Sequence, residues 1–164
     1  MKTQKRASLP SLKLLKEPDD PYRLDIPDKS YCTQCGLGYV NRSWKFDVDK
    51  SKMKHKIVCP ACRKINDKYF LGILTIKGDF LNEHKDEILS LIHNEEKKHR
   101  SKNALQRIGK TSYEKDGSII ISTTNVRLAY RIGKALYKAY RGVLTIKWSG
   151  NNIFIRVYWT RNDT

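Results

Sequence analysis

Apolar positions in the second half of the chain switch between a helical and a strand period. Phe80, Leu81, His84, Ile88, Leu91 and Ile92 recur at helical spacing. They predict a helix from about residue 79 to 99, entered through a turn at Gly78 with Asp79 as N-cap. Acids stand early in it (Asp79, Glu83) and bases late (Lys97, Lys98, Arg100), the order the helix dipole favours. Residues 105–113 read as a strand, Lys115-Asp116-Gly117 as a hairpin turn, and residues 118–122 as the partner strand. The run Thr123-Thr124-Asn125 supplies an N-cap for a second helix that reaches Arg141, with Gly142 as the residue that ends it. Leu128, Ile132, Ala135, Leu136 and Ala139 form its buried stripe. Residues 143–148 and 153–159 are two further strands around the turn Ser149-Gly150-Asn151-Asn152. The order ββαββ predicts a small sheet with one helix on its face, an α+β layer.

The first half is patterned differently. Residues 1–29 hold Pro10, Pro18, Pro21 and Pro27 with little periodicity, and read as a basic arm that a partner would order. Lys2, Lys5 and Arg6 of that arm suit an RNA groove. Residues 30–77 contain all four cysteines, as Cys32-Thr-Gln-Cys35 and Cys59-Pro-Ala-Cys62. Residues 39–46 alternate like a strand, His55-Lys56-Ile57-Val58 returns toward the second pair, and the stretch between predicts a hairpin. Tyr69 to Ile76 is apolar and β-rich, and reads as a strand leaving this module. Residues 78–100 then form a connecting helix and 101–164 the ββαββ unit. No internal repeat is visible.

Two CxxC pairs at loop distance have a specific chemistry. A tetrahedral zinc ion takes four thiolates at about 2.3 Å, two from each turn. Gly36 and Gly38 let the first turn fold tightly, and Pro60 stiffens the second. A disulfide pairing needs an oxidising compartment, and the N-terminus has no apolar stretch of the kind a secretory signal carries. A redox CxxC sits in an alternating strand–helix pattern that is missing here. The residues therefore predict a zinc ribbon in which Cys32, Cys35, Cys59 and Cys62 fill the shell. No position is left for a catalytic water, so the metal holds a fold. His55 is expected at the surface. Trp44 and Phe46 either pack beneath the ion or offer rings to RNA, and the first is the expectation. His84, His93 and His99 share no helix face and carry no catalytic arrangement.

Charge adds the partner. The 164 residues hold 33 Lys plus Arg and 17 Asp plus Glu, a net charge of +16. A 39% apolar content fills a modest core, and there is no stretch of ~18 apolar residues that would span a membrane. A cytoplasmic protein with a polyanionic partner, and no small-molecule substrate, is expected. Residues 101–164 carry twelve bases and three acids; residues 42–68 carry nine bases and three acids. Between them, residues 79–99 have six acids and three bases.

Arg127, Arg131, Lys134, Lys138 and Arg141 recur along one side of the second helix, with no acid from 125 to 141. Like charges at i,i+4 destabilise a helix, each by a few tenths of a kcal/mol, so the row predicts a phosphate contact. Lys147, Arg156 and Arg161 would extend it over the sheet. Lys50, Lys52 and Lys54 would point one way from an extended hairpin tip, with Arg63 beside the second knuckle. No glycine-rich phosphate loop, G-x-S-x-G elbow or paired carboxylates appear, so no enzyme is expected. The rival to RNA is duplex DNA, as in a zinc-ribbon transcriptional regulator. Against it, the chain shows no helix-turn-helix pair and no helix rich in Asn or Gln for reading base edges.

The cysteine ribbon, the acidic helix, Thr123-Thr124-Asn125, Leu128-Ala129, Arg131-Ile132-Gly133-Lys134-Ala135-Leu136 and Ala139-Tyr140-Arg141-Gly142 resemble short bacterial zinc-ribbon proteins. So do Cys59-Pro-Ala-Cys62-Arg-Lys-Ile-Asn-Asp and Gly78-Asp-Phe-Leu-Asn-Glu-His. Those proteins in turn resemble the N-terminal region of the nonsense-mediated-decay protein three family, over roughly residues 20–161 of this chain. The resemblance implies a zinc module that binds the large ribosomal subunit, in a maturation or a stress and hibernation role. It carries over Cys32, Cys35, Cys59 and Cys62 as ligands. The family's further CxxC pairs, C-terminal β domains and export signals have no counterpart among these residues.

Overall fold

The computed structural model describes residues 21–22, 25–149 and 154–163. Most of the arm expected over 1–29 lies outside the described residues, as do Gly150, Asn151, Asn152 and Ile153. The described chain is an α+β protein with two sheets.

The first sheet belongs to the cysteine module. Its strands are β1 (Ser30–Cys32), β2 (Gly38–Val40), β3 (Ser43–Lys45) and β4 (His55–Ile57), ordered β3-β2-β1-β4. The hairpin expected between residues 39–46 and 55–58 is not formed. Asn41 and Arg42 both take positive φ (52° and 60°), which turns the chain within two residues and folds β3 back on β2. The return strand β4 pairs instead with β1, in parallel. The expected row of lysines is also absent. Lys50–Lys52 is a 3₁₀ turn, capped by the Asp49 carboxylate, which accepts from the Ser51 N–H at 3.0 Å. A helix that the pattern did not predict, α1 (Pro60–Asn66), starts inside the second cysteine pair. Pro60 at its first position gives up no hydrogen bond there, and its ring presets the helical φ.

The second sheet has five strands: β5 (Gly72–Lys77), β6 (Ile108–Tyr113), β7 (Ile119–Thr123), β8 (Val143–Ser149) and β9 (Phe154–Thr160), ordered β6-β7-β5-β9-β8. The ββαββ unit is present, and one strand from upstream joins it. The strand expected to leave the ribbon is β5, and it lies at the centre. It is antiparallel to β7 and parallel to β9. Its alternation explains the place: Leu74 and Ile76 are fully buried on one face, while Ile73 and Thr75 are half-buried on the other. The strand expected from Leu105 starts only at Ile108. Residues 105–107 are held by Thr124, whose Oγ1 donates to the Leu105 carbonyl at 2.8 Å and accepts the Arg107 N–H at 3.0 Å.

Three helices follow the ribbon. The one expected helix is two, α2 (Asp79–Glu83) and α3 (Lys85–Arg100), broken at His84. The His84 ring leaves the helical path to stack on Phe80, 4.1 Å between centroids. Gly78, not Asp79, is the N-cap residue, at φ 115°. A Cβ there would run into the Arg161 carbonyl, so only glycine fits. The third helix, α4 (Val126–Tyr140), begins as predicted. The Asn125 side chain accepts from the N–H groups of Arg127 (2.7 Å) and Leu128 (3.2 Å). It ends where Arg141 and Gly142 both take positive φ.

The core lies between α4 and one face of the second sheet. It contains Leu74, Ile76, Ile119, Ile121, Leu128, Ile132, Leu136, Ile155, Val157 and Trp159, closed by Phe80, Leu81, Ile88 and Ile92 from α2 and α3. The buried face of α4 is wider than its predicted stripe. Ala129, Tyr130 and Gly133 are buried and Ala139 is exposed, because α4 contacts α3 as well as the sheet. No described helix is long and apolar enough to cross a membrane.

Candidate metal centre and basic surfaces

The four cysteine sulfurs lie within 4.8 Å of one another. Cys32 ends β1, Cys35 sits in the turn that follows, Cys59 caps α1 and Cys62 lies in its first turn. Each knuckle therefore hangs on regular structure. The Cys32 carbonyl accepts the Gly36 N–H at 2.9 Å and closes the first turn. In the second, backbone N–H groups point at sulfur, Cys59 to Cys32 Sγ at 3.2 Å and Cys62 to Cys59 Sγ at 3.4 Å. Cys35 Sγ and Cys59 Sγ are 3.7 Å apart. That is the edge of a tetrahedron whose centre is about 2.3 Å from each corner, the zinc–thiolate distance. The donor set fits a metal ion held by four thiolates.

Proton equilibria in the cluster show what the ion replaces. The bond from Cys59 holds the Cys35 thiol far below its usual value, at about 4. The same bond pushes Cys59 upward, and burial adds to it. Burial raises Cys62, against the pull of Arg107. One proton shared between Cys35 and Cys59 thus lets negative charge develop on the pair. A divalent ion takes the place of such protons, so binding is linked to proton release.

Arg107 completes the centre, and the sequence reading missed it. Its Nη1 donates to Cys62 Sγ at 3.2 Å. Burial works against the charge of this guanidinium, but Cys62, Cys35 and Cys59 together outweigh it and raise the Arg107 pKa. Four thiolates on a divalent ion leave a local charge of −2, which this cation partly offsets. Arg107 also ties the ribbon to the strand module, since its N–H is fixed by Thr124. Nothing local marks it, 45 residues from its partner.

Of the two rings, Trp44 packs against the cysteine cluster. Phe46 does not; it is 44% exposed, with the Arg100 guanidinium 5.2 Å from its centroid. His55 is exposed as expected. Arg63 is half-buried and turned back on its own turn, for its Nε donates to the Val58 carbonyl at 3.2 Å. Lys50, Lys52 and Lys54 are exposed around the 3₁₀ turn, with Lys50 Nζ 5.8 Å from the Tyr31 ring.

The bases of α4 and its C-cap residue Arg141 separate into two groups. Lys134, Lys138 and Arg141 are exposed; Arg127 and Arg131 are half-buried. Arg131 Nη1 lies 3.1 Å from His99 Nδ1, and His99 Nε2 lies 3.0 Å from Glu95. A guanidinium can only donate, so His99 accepts at Nδ1 and gives its Nε2 proton to Glu95. The neutral imidazole is the form this chain of bonds requires, and burial followed by the Arg131 charge lowers the His99 pKa accordingly. Glu95 and His99 stand at i,i+4, a spacing visible in the sequence that the reading of the histidines overlooked. Arg131 thus serves the contact of α3 with α4.

Lys147 and Arg156 do not extend the α4 row. Leu144, Ile146 and Trp148 alternate with them toward the core, and Lys147 pairs with Arg156 in the β8–β9 register. Both therefore lie on the opposite face of the sheet. Arg161 is structural: its Nη1 caps the Tyr140 carbonyl at 2.8 Å, its Nε meets Asp163 at 3.0 Å, and its guanidinium covers Phe80 at 3.8 Å.

No protein-family model, curated protein or solved structure matches the chain.

Proposed function

We propose that this chain is a non-enzymatic, zinc-containing RNA-binding protein that associates with the large ribosomal subunit. The observation that carries the reading is the exposed positive charge of the C-terminal half of α4 and of Arg141 just after it. Lys134, Lys138 and Arg141 face solvent, and no acid lies between 125 and 141 to pair with them. An ordinary solvated helix alternates signs and gains from its i,i+4 pairs. A polyanion supplies the missing partner, and RNA phosphates are spaced to meet several bases at once.

Zinc is the ion of choice for four thiolates. A closed shell offers no exchangeable position, so its contribution is structural. The choice of rRNA, and of a maturation or a stress and hibernation setting, rests on the resemblance of the Thr123–Gly142 and Cys59–Asp67 segments to short bacterial zinc-ribbon proteins, which in turn resemble the ribosome-binding N-terminal region of the nonsense-mediated-decay protein three family. The experiment is co-sedimentation of the zinc-loaded chain with ribosomal particles. At low salt it should travel with the large subunit and be released as salt rises. A chain that stays at the top of the low-salt gradient overturns the ribosomal reading, and preference for duplex DNA over RNA would favour a transcriptional regulator.

A further inference from the structure

The second sheet has two unlike faces. α4 and α2, the helices packed on it, lie on the side of Leu74, Ile121, Val157 and Ile146. The strands β5 to β9 contain no Asp or Glu and four bases: Lys77, Lys110, Lys147 and Arg156. Strand alternation and register put all four on the other side, and all four are exposed. From the ribbon, Phe70 and Ile65 reach this sheet at Gly109 on β6, three strands away from β9.

Two features mark the β9 end of that face. Lys147 and Arg156 stand directly opposite each other, and like charges in that position repel across the ladder. Phe154 and Tyr158 share the face and are half-buried. Each cation covers a ring: Lys147 Nζ is 5.6 Å from the Tyr158 centroid, and the Arg156 guanidinium 5.2 Å from that of Phe154. Half-buried rings, each with a cation over it, on strands that contain no Asp or Glu, offer a stacking surface for bases beside a track for phosphates. A polyphosphate strand relieves the repulsion, and a base can take the ring face that a cation holds in its absence. A second copy of this face would bring four bases against four, so self-association is disfavoured.

We propose that the open face of β5, β9 and β8 is a platform for single-stranded RNA. Tyr158 and Phe154 stack bases, and Lys77, Lys147 and Arg156 hold phosphates. The proposal rests on the RNA reading above and adds a second surface, on the far side of the sheet from α4. A duplex keeps its bases stacked inside and cannot use the rings.

The test titrates the full, zinc-loaded chain with a fluorescent oligouridylate of about twelve nucleotides, and with an RNA duplex of similar length, by anisotropy. Tyr158→Ala should weaken the oligouridylate roughly tenfold and leave the duplex affinity unchanged; Tyr158→Phe should restore it. The pair Lys147→Glu with Arg156→Glu should lose at least as much, with zinc content and circular dichroism unaltered. Equal single-strand binding by Tyr158→Ala and the native chain overturns the platform. Binding of the duplex without the oligouridylate overturns the platform alone, while binding of neither overturns the RNA reading with it.

Discussion

The ribbon and the strand module solve the same problem with different means. Around its cysteines the ribbon buries little apolar surface: Leu37, Ala61, Cys32, Cys59 and Cys62, with Cys35, Trp44 and Ile57 half-covered. Its strands are three residues long. The strand module buries Leu, Ile, Val and Trp side chains from β5, β7, β9 and three helices, with half-buried side chains of β6 and β8 packed against them, and each fully buried side chain contributes about 1.5–3 kcal/mol. One region thus has a four-cysteine site that could hold an ion, and the other has an apolar core. Arg107 joins them, with its backbone in one and its guanidinium at the other's sulfur.

The largest expected effect comes from removing the ion. Zinc sites of this kind contribute about 10–16 kcal/mol of apparent folding free energy, more than the ribbon has from other sources. Chelation, or Cys59→Ser, should abolish amide protection over residues 30–66 while Leu74, Ile121 and Ile155 stay protected in hydrogen exchange. Loss of protection in both regions together would show that the core depends on the ion too.

Truncation of the core gives the reverse pattern. Leu128→Ala or Ile132→Ala removes a fully buried side chain and should lower the unfolding free energy of the strand module by about 2–5 kcal/mol. Zinc affinity should not move. Urea melts with a parallel metal competition assay separate the two outcomes.

Arg107→Ala should register on both sides at once. Zinc affinity should fall about 10- to 100-fold, as for other partners of metal ligands, and stability by about 1.5–3 kcal/mol, the range for a hydrogen bond to a charged group. If zinc affinity is unchanged, the guanidinium is only a packing element.

The smallest effect is the pH response of the α3–α4 contact. His99 is held neutral in the fold, so its pKa lies below the ordinary 6.5. Between that value and its lowered folded one, the unfolded chain binds the extra proton first. Stability is therefore level above about pH 6.5 and falls as pH drops below it. His99→Gln should flatten the response, and an unaltered slope would assign it to another group.

Legibility in the sequence differed between the regions in the same way. The four-cysteine set was readable because ligand spacing is a local property of CxxC turns. The core helix α4 was readable because Asn125, the helical stripe and Gly142 are local signals that agree. Strand pairing was less so: β4 joins β1, and β5 joins β7 and β9, over separations the periodicity does not encode. Surfaces were hardest. The bases Arg131 and Lys147 looked like one patch along the chain, but a bond to His99 and the parity of β8 send them to different places.

The central claim is that the exposed cations meet RNA phosphates, and its most direct measurement is the affinity of the zinc-loaded chain for RNA across salt. With about 6–10 phosphate contacts, raising salt from about 50 to 200 mM should weaken binding by about 10³–10⁵. A weak or salt-indifferent interaction would contradict the account.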